Sequence, residues 1–176
     1  MFTFARYVVR MRGGDKGHHV RSKLEAEGLR AVSDEIVRCS VGNEARRRRH
    51  GSILIVAGDN ECRSVFKRLT RCWEGLTLLI AEGGAAAGYH MALSRRPRLV
   101  VVDSGLPDRD AETIVRALTE NSRSSKAAII VVGSDDSGRE AADFIESGAD
   151  AYLTKPLSAD SVGPIVIDLL ALAATR

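Results

Sequence analysis

The chain has 176 residues, 44% of them hydrophobic and 28% charged, enough for one domain with a full core and a further segment besides. No apolar run approaches the ~18 residues that cross a bilayer, and the N-terminus lacks the apolar stretch and small-residue cleavage site of a secretory signal. The net charge of +3 is uneven: residues 1–50 hold 12 Lys and Arg against 6 Asp and Glu, and residues 51–176 hold 14 against 17, so a basic arm precedes a mildly acidic body.

Within the arm, Phe2 to Met11 suits either a short strand or a helix, and Arg12-Gly13-Gly14-Asp15-Lys16-Gly17 ends it. Ser22 to Arg38 spaces Leu24, Leu29, Val32, Ile36 and Val37 as one amphipathic helix, weakened by Gly28. Arg46-Arg47-Arg48-Arg49 follows. Such a run either meets an anionic surface or nucleic acid, or serves as a solvated linker, and no aromatic or recognition motif accompanies it. Residues 1–51 are therefore expected to form a basic extension, partly helical or disordered, ahead of a domain over 52–176.

From Ser52 the pattern is regular. Ile53-Leu54-Ile55-Val56-Ala57 reads as a strand closed by Gly58-Asp59-Asn60, and Glu61 to Trp73 as a helix with Val65, Phe66, Leu69 and Cys72 inward. Leu76 to Ala81 is a second strand and Ala85 to Ser94 a helix ended by Pro97. Leu99-Val100-Val101-Val102 is a third strand that stops at Asp103, with Gly105 and Pro107 behind it. Ala111–Asn121 (helix), Ala127–Val132 (strand), Glu140–Ser147 (helix), Ala151–Leu153 (strand) and Ala159–Ala174 (helix) complete the series.

Five strands alternating with five helices over short connections predict an α/β fold. The expected sheet is parallel, five-stranded and doubly wound, in the flavodoxin-like order 2-1-3-4-5. Ligands of such sheets bind outside the carboxyl ends of the first and third strands, where Asp59 and Asp103 fall. Neither GxGxxG nor GxxxxGK[ST] follows the first strand, which removes dinucleotide and P-loop readings. Cys39, Cys62 and Cys72 have no metal-ligand spacing and fit a reducing, cytoplasmic setting. His18, His19, His50 and His90 share no element.

Residues 52–176 resemble the receiver domain of two-component response regulators. The resemblance is carried by the Ile-Leu-Ile-Val strand, Arg63, Asp103 with Pro107 four residues on, and the run from Ser147 to Leu157. It implies that Asp103 is the phosphoacceptor position, Lys155 the cation that holds phosphoryl oxygens, and Tyr152 the aromatic switch. It also implies Mg2+ wherever phosphorylation is retained. The acidic pair that would hold the metal falls on Ala57 and Gly58, and the Thr/Ser position on Gly133. Asp59, with Glu61 beyond it, is the nearest replacement for the pair, or else a helix cap. Ser134 is the nearest replacement hydroxyl, and the Gly105 carbonyl a main-chain metal ligand alongside Asp103. Two missing elements make a pseudo-receiver the expectation: a phosphorylation-independent interaction module, no enzyme beyond transient self-phosphorylation at Asp103. The alternative is a working phosphoacceptor charged by a histidine kinase with Mg2+. Expected partners are the kinase or a downstream signalling protein, or a second copy through the last two helices and fifth strand, by way of Phe144, Leu157, Val162 and Val166. Neither membrane nor nucleic acid is expected.

Overall fold

The computed structural model describes residues 7–9, 51–106, 111–121, 126–135 and 138–173. The helix expected over 22–38, the Arg46–Arg49 run, Cys39, His18, His19, His50 and Pro107 lie outside them.

The elements run β1 (Tyr7–Val9), β2 (Gly51–Val56), α1 (Asn60–Cys72), β3 (Leu76–Ala81), α2 (Gly84–Arg95), β4 (Leu99–Asp103), α3 (Ala111–Glu120), β5 (Ala128–Gly133), α4 (Arg139–Glu146), β6 (Ala151–Thr154) and α5 (Ala159–Ala173). Strands β2 to β6 pair in parallel in the spatial order β6-β5-β4-β2-β3, the expected 2-1-3-4-5 arrangement. The N-terminal arm contributes a sixth strand. β1 lies antiparallel along β6, with Tyr7 opposite Leu153, Val8 opposite Tyr152 and Val9 opposite Ala151. Of the two readings of Phe2 to Met11, the strand is the one found.

All residues of β4 and β5 are buried, because helices cover both faces of these central strands. Ile53, Ile55, Val101 and Ile130 face α1 and α5, where Phe66 and Val166 close the layer. Leu54, Val56, Val102 and Val131 face α2, α3 and α4. The period-two alternation within each apolar run divides them between the two layers. α2 approaches the sheet closely because Gly88 has no side chain: a Cβ there would stand 2.7 Å from Val56 Cγ1. Among the described residues, no helix is long and apolar enough to cross a membrane.

Three of the four residues expected on a partner surface belong to the core instead. Phe144, Val162 and Val166 are buried, and Leu157 is half-buried. Their spacing on α4 and α5 turns them toward the sheet, where apolar burial is most favourable.

The turn before β6 explains a second carboxylate that a sequence reader could mistake for a functional acid. Gly148 has φ +110°, and a Cβ there would lie 2.8 Å from Thr119 Cγ2. The turn brings Asp150 into the interior, where its Oδ2 accepts the Ile129 N–H at 2.9 Å while its own N–H donates to the Ile129 carbonyl at 2.8 Å. Asp150 therefore extends the β5–β6 pairing with its side chain. Asp150→Ala is expected to cost about 2–3 kcal/mol in urea unfolding, since it deletes a hydrogen bond to a charged group and strands a buried N–H. Asp150→Asn should cost less.

Candidate functional site

The site forms where the chain leaves β2, β4 and β6. Asp103 ends β4, buried on every side but its mouth, with 4% of its side chain exposed. The Gly105 N–H donates to its Oδ1 at 3.1 Å, which folds the turn back over the carboxylate. Lys155 follows β6, and its backbone N–H donates to the Gly133 carbonyl at 2.8 Å. Its ammonium reaches Asp103 Oδ1 at 3.1 Å and also makes a close ion pair with Asp59 Oδ2. Asp59, Asp103 and Lys155 thus meet at one point, from the two sequence positions expected at the switch point and from the far end of the sheet.

Of the two readings of Asp59, the helix cap is found, and the other carboxylate oxygen meets Lys155. Its Oδ1 accepts the Cys62 N–H at 3.0 Å, capping α1, while Oδ2 faces Lys155. Partial burial alone would raise its pKa. Hydrogen bonds from Lys155 and the Cys62 N–H, with the Lys155 charge, outweigh burial and hold the carboxyl below its ordinary range. The reverse applies to Lys155: burial would lower its pKa, but bonds to Asp59 and Asp103 and their charges raise it. Cys62 lies buried beneath these acids, and burial together with the Asp59 and Asp103 charges pushes its thiol up to about 12. That thiol is inert packing.

Mg2+ takes oxygen ligands built on one or two carboxylates, and the side chains placed to offer them here are Asp59 and Asp103. Ala57 and Gly58 supply no side-chain oxygen. Both Asp59 oxygens are engaged, and Asp103 Oδ1 is held by Lys155 and Gly105. Among the described residues, no group of three or more His, Cys, Asp or Glu is placed to hold a metal ion. The Ala57 carbonyl is itself taken, by Arg63 Nη2 at 2.7 Å, which fixes the loop after β2. Glu61 turns away from the site and accepts the Leu157 N–H at 2.7 Å, tying α1 to the segment after β6.

Tyr152 lies inward and buried, and its hydroxyl donates to Glu140 at the start of α4. Burial, the Glu140 bond and the Glu140 charge push its pKa up. Ser134 is exposed past the end of β5. The hydroxyls near the missing side chain of residue 133 belong to Tyr152 and Ser104: a Cβ on Gly133 would collide with the first and stand 2.7 Å from the Ser104 oxygen. Sequence reasoning missed Ser104 and Glu140. The adjacency of Ser104 to Asp103 was a usable signal; Glu140 offered none, since its partner is 12 residues away on another element.

The sequence matches the response regulator receiver domain family over residues 53–166. Curated relatives include the KDP operon transcriptional regulatory protein KdpE of Escherichia coli K12, 32% identical over 105 residues, covering 60% of this chain and 44% of KdpE. The transcriptional regulatory protein PhoP of the same organism is 32% identical over 82 residues, covering 47% of this chain and 35% of PhoP. The chain thus spans less than half the length of these relatives. Among solved structures, a CheY-like response regulator receiver domain protein from Methanospirillum hungatei superposes with a TM-score of 0.63 at 22% identity, covering 72% of this chain and 98% of that one. The chemotaxis response regulator CheY4 of Vibrio cholerae gives 0.61 at 16% identity, covering 68% and 98%.

Proposed function

Because the chain belongs to the response regulator receiver domain family, we propose that it acts in two-component signalling as a phosphorylation-independent protein-interaction module. The observation that carries this reading is the Lys155 ammonium lodged between Asp59 and Asp103. Phosphoryl transfer to a carboxylate depends on cations that offset the charge of both anions and leave the attacking oxygen accessible. Here the available cation is already shared between two acids, and the positions that would bring a divalent ion carry Ala57 and Gly58. The cluster sets one ammonium against two carboxylates, holds the loops after β2, β4 and β6 together and keeps a net negative charge where a phosphodonor would approach.

Its partners on this reading are a histidine kinase or a downstream signalling protein, or a second copy. They would meet the outer faces of α4 and α5, where Ala142, Asp143 and Asp168 are exposed. Nucleic acid and membrane play no part in it.

The test is intact mass after incubation with a small acyl phosphate, with and without millimolar Mg2+, beside the Asp103→Asn variant. No adduct is expected in any arm, and Asp103→Asn should bind a captured partner within twofold of wild type. An adduct that requires both Mg2+ and Asp103 would overturn the reading in favour of a working phosphoacceptor.

A further inference from the structure

The two sides of the parallel sheet end differently. On one side β3 leaves Thr77 exposed and Leu78, Leu79 and Ile80 half-buried. On the other, β6 is the last parallel strand, yet Ala151 and Leu153 are 0% and 4% exposed. The Asp150 N–H donates to the Ile129 carbonyl, toward β5. Alternation along the strand turns the N–H and C=O of Ala151 and Leu153 the opposite way, away from β5. Buried backbone groups require partners, and β1 stands where these point, with Val9 opposite Ala151 and Tyr7 opposite Leu153. The cover is slight. β1 is three residues long, against about five to six for an ordinary strand, and residues 10–50 separate it from β2. Closing so long a connection costs entropy, and two hydrogen-bonded residue pairs are what offset it.

We propose that the edge of β6 is a strand-docking site which the chain fills with its own arm. A partner protein engages it by offering an extended antiparallel segment in place of Tyr7–Val9. The occupant is defined by what it replaces: a proline-free stretch of aromatic and β-branched residues, like Tyr7-Val8-Val9, with N–H and C=O groups free to meet Ala151 and Leu153. Main-chain hydrogen bonds give such an added strand its affinity. The tethered arm competes with it at an effective concentration of roughly millimolar, so weak strands are refused. This rests on the reading of the chain as an interaction module and names where on it the partner binds. β6 lies between α4, whose Phe144 stacks on Tyr152, and α5, whose Val166 shares a core layer with Leu153. An incoming strand would therefore lie between the outer faces of those two helices.

The test uses the full chain and a fluorescent peptide copying its residues 4–12. Val9→Pro deletes the N–H opposite Ala151 and so disables the arm. The peptide should bind Val9→Pro about tenfold or more tighter than wild type. Hydrogen exchange over Ala151–Thr154 should rise roughly tenfold in Val9→Pro and return to the wild-type rate when the peptide is added. Equal affinity for the two proteins, binding to neither, or peptide protection that falls on Leu76–Ala81 would each overturn the site. If Val9→Pro does not fold, Tyr7→Pro, which deletes the N–H opposite Leu153, takes its place. Failure of both to fold would make β1 a fixed part of the sheet and overturn a displaceable cover. Any of these failures leaves the interaction-module reading standing. That reading falls instead to a Mg2+-dependent adduct at Asp103, which would not alter peptide binding.

Discussion

Lys155→Met is expected to destabilise the protein by about 3 kcal/mol at neutral pH, because it strands two carboxylates that now share one ammonium. Methionine keeps the length of the stem, so the loss is one of charge rather than packing. The value belongs at the low end for a broken buried pair, since the Lys155 side chain is 19% exposed and that of Asp59 35%. The pH dependence carries the diagnosis. Lys155 has a raised folded pKa, so its contribution is complete below the unfolded value of about 10.4 and is lost as pH rises through the folded value. Asp59 has a lowered folded pKa, so its contribution is present above the unfolded value of about 3.9 and is lost as pH falls through the folded one. The difference between wild type and Lys155→Met, measured by urea unfolding across pH, should be a plateau that closes at both ends. A difference that stays flat from acid to alkali would mean that Lys155 stabilises through its stem alone.

Phe66→Ala is expected to cost still more, about 4 kcal/mol, which for a chain of this size lowers Tm by roughly 10 °C or more. Phe66 is fully buried between α1 and the sheet, among Ile55, Leu69 and Val166. α1 is the helix whose cap is Asp59 and whose Arg63 and Glu61 hold the loops on either side of the site. Thermal unfolding by circular dichroism gives the magnitude. A loss below about 1 kcal/mol would show that the layer collapses around the gap.

The parts of this molecule that were legible in the sequence are those fixed by local pattern. Ile53 to Ala57 and Leu99 to Val102 are uninterrupted apolar runs closed by turn residues, and they can hardly be other than central parallel strands. Once the order of strands follows from the alternation, Asp59 and Asp103 must come close, and they do. Lys155 joins them at the same point. What escaped was whatever depends on direction at short range. The spacing of Val162 and Val166 marks an apolar stripe but not what the stripe meets, and the sheet claims it. Ser134 and Ser104 are each one residue from a strand end, and only the pleat and the turn after β4 decide which hydroxyl faces Gly133. The pairing of Lys155 with Asp59 spans 96 residues. No window of sequence contains both partners. The same holds for β1, three residues whose partners lie at the other end of the domain.

That last pairing has a consequence for how the protein is made. β3 and β4 can pair as soon as each leaves the ribosome, since each finds β2 already synthesised. β1 is seated late, because Ala151, Tyr152 and Leu153 must be translated before Tyr7–Val9 has anything to pair with. At ~5–20 residues per second, that is a wait of roughly 7 to 30 seconds on the ribosome. Through that interval Tyr7–Val9 has no sheet to join, and afterwards it covers the edge of β6. Chaperone binding or proteolytic nicking near the N-terminus should therefore be concentrated in nascent chains shorter than β6, and should subside once the last strand is out.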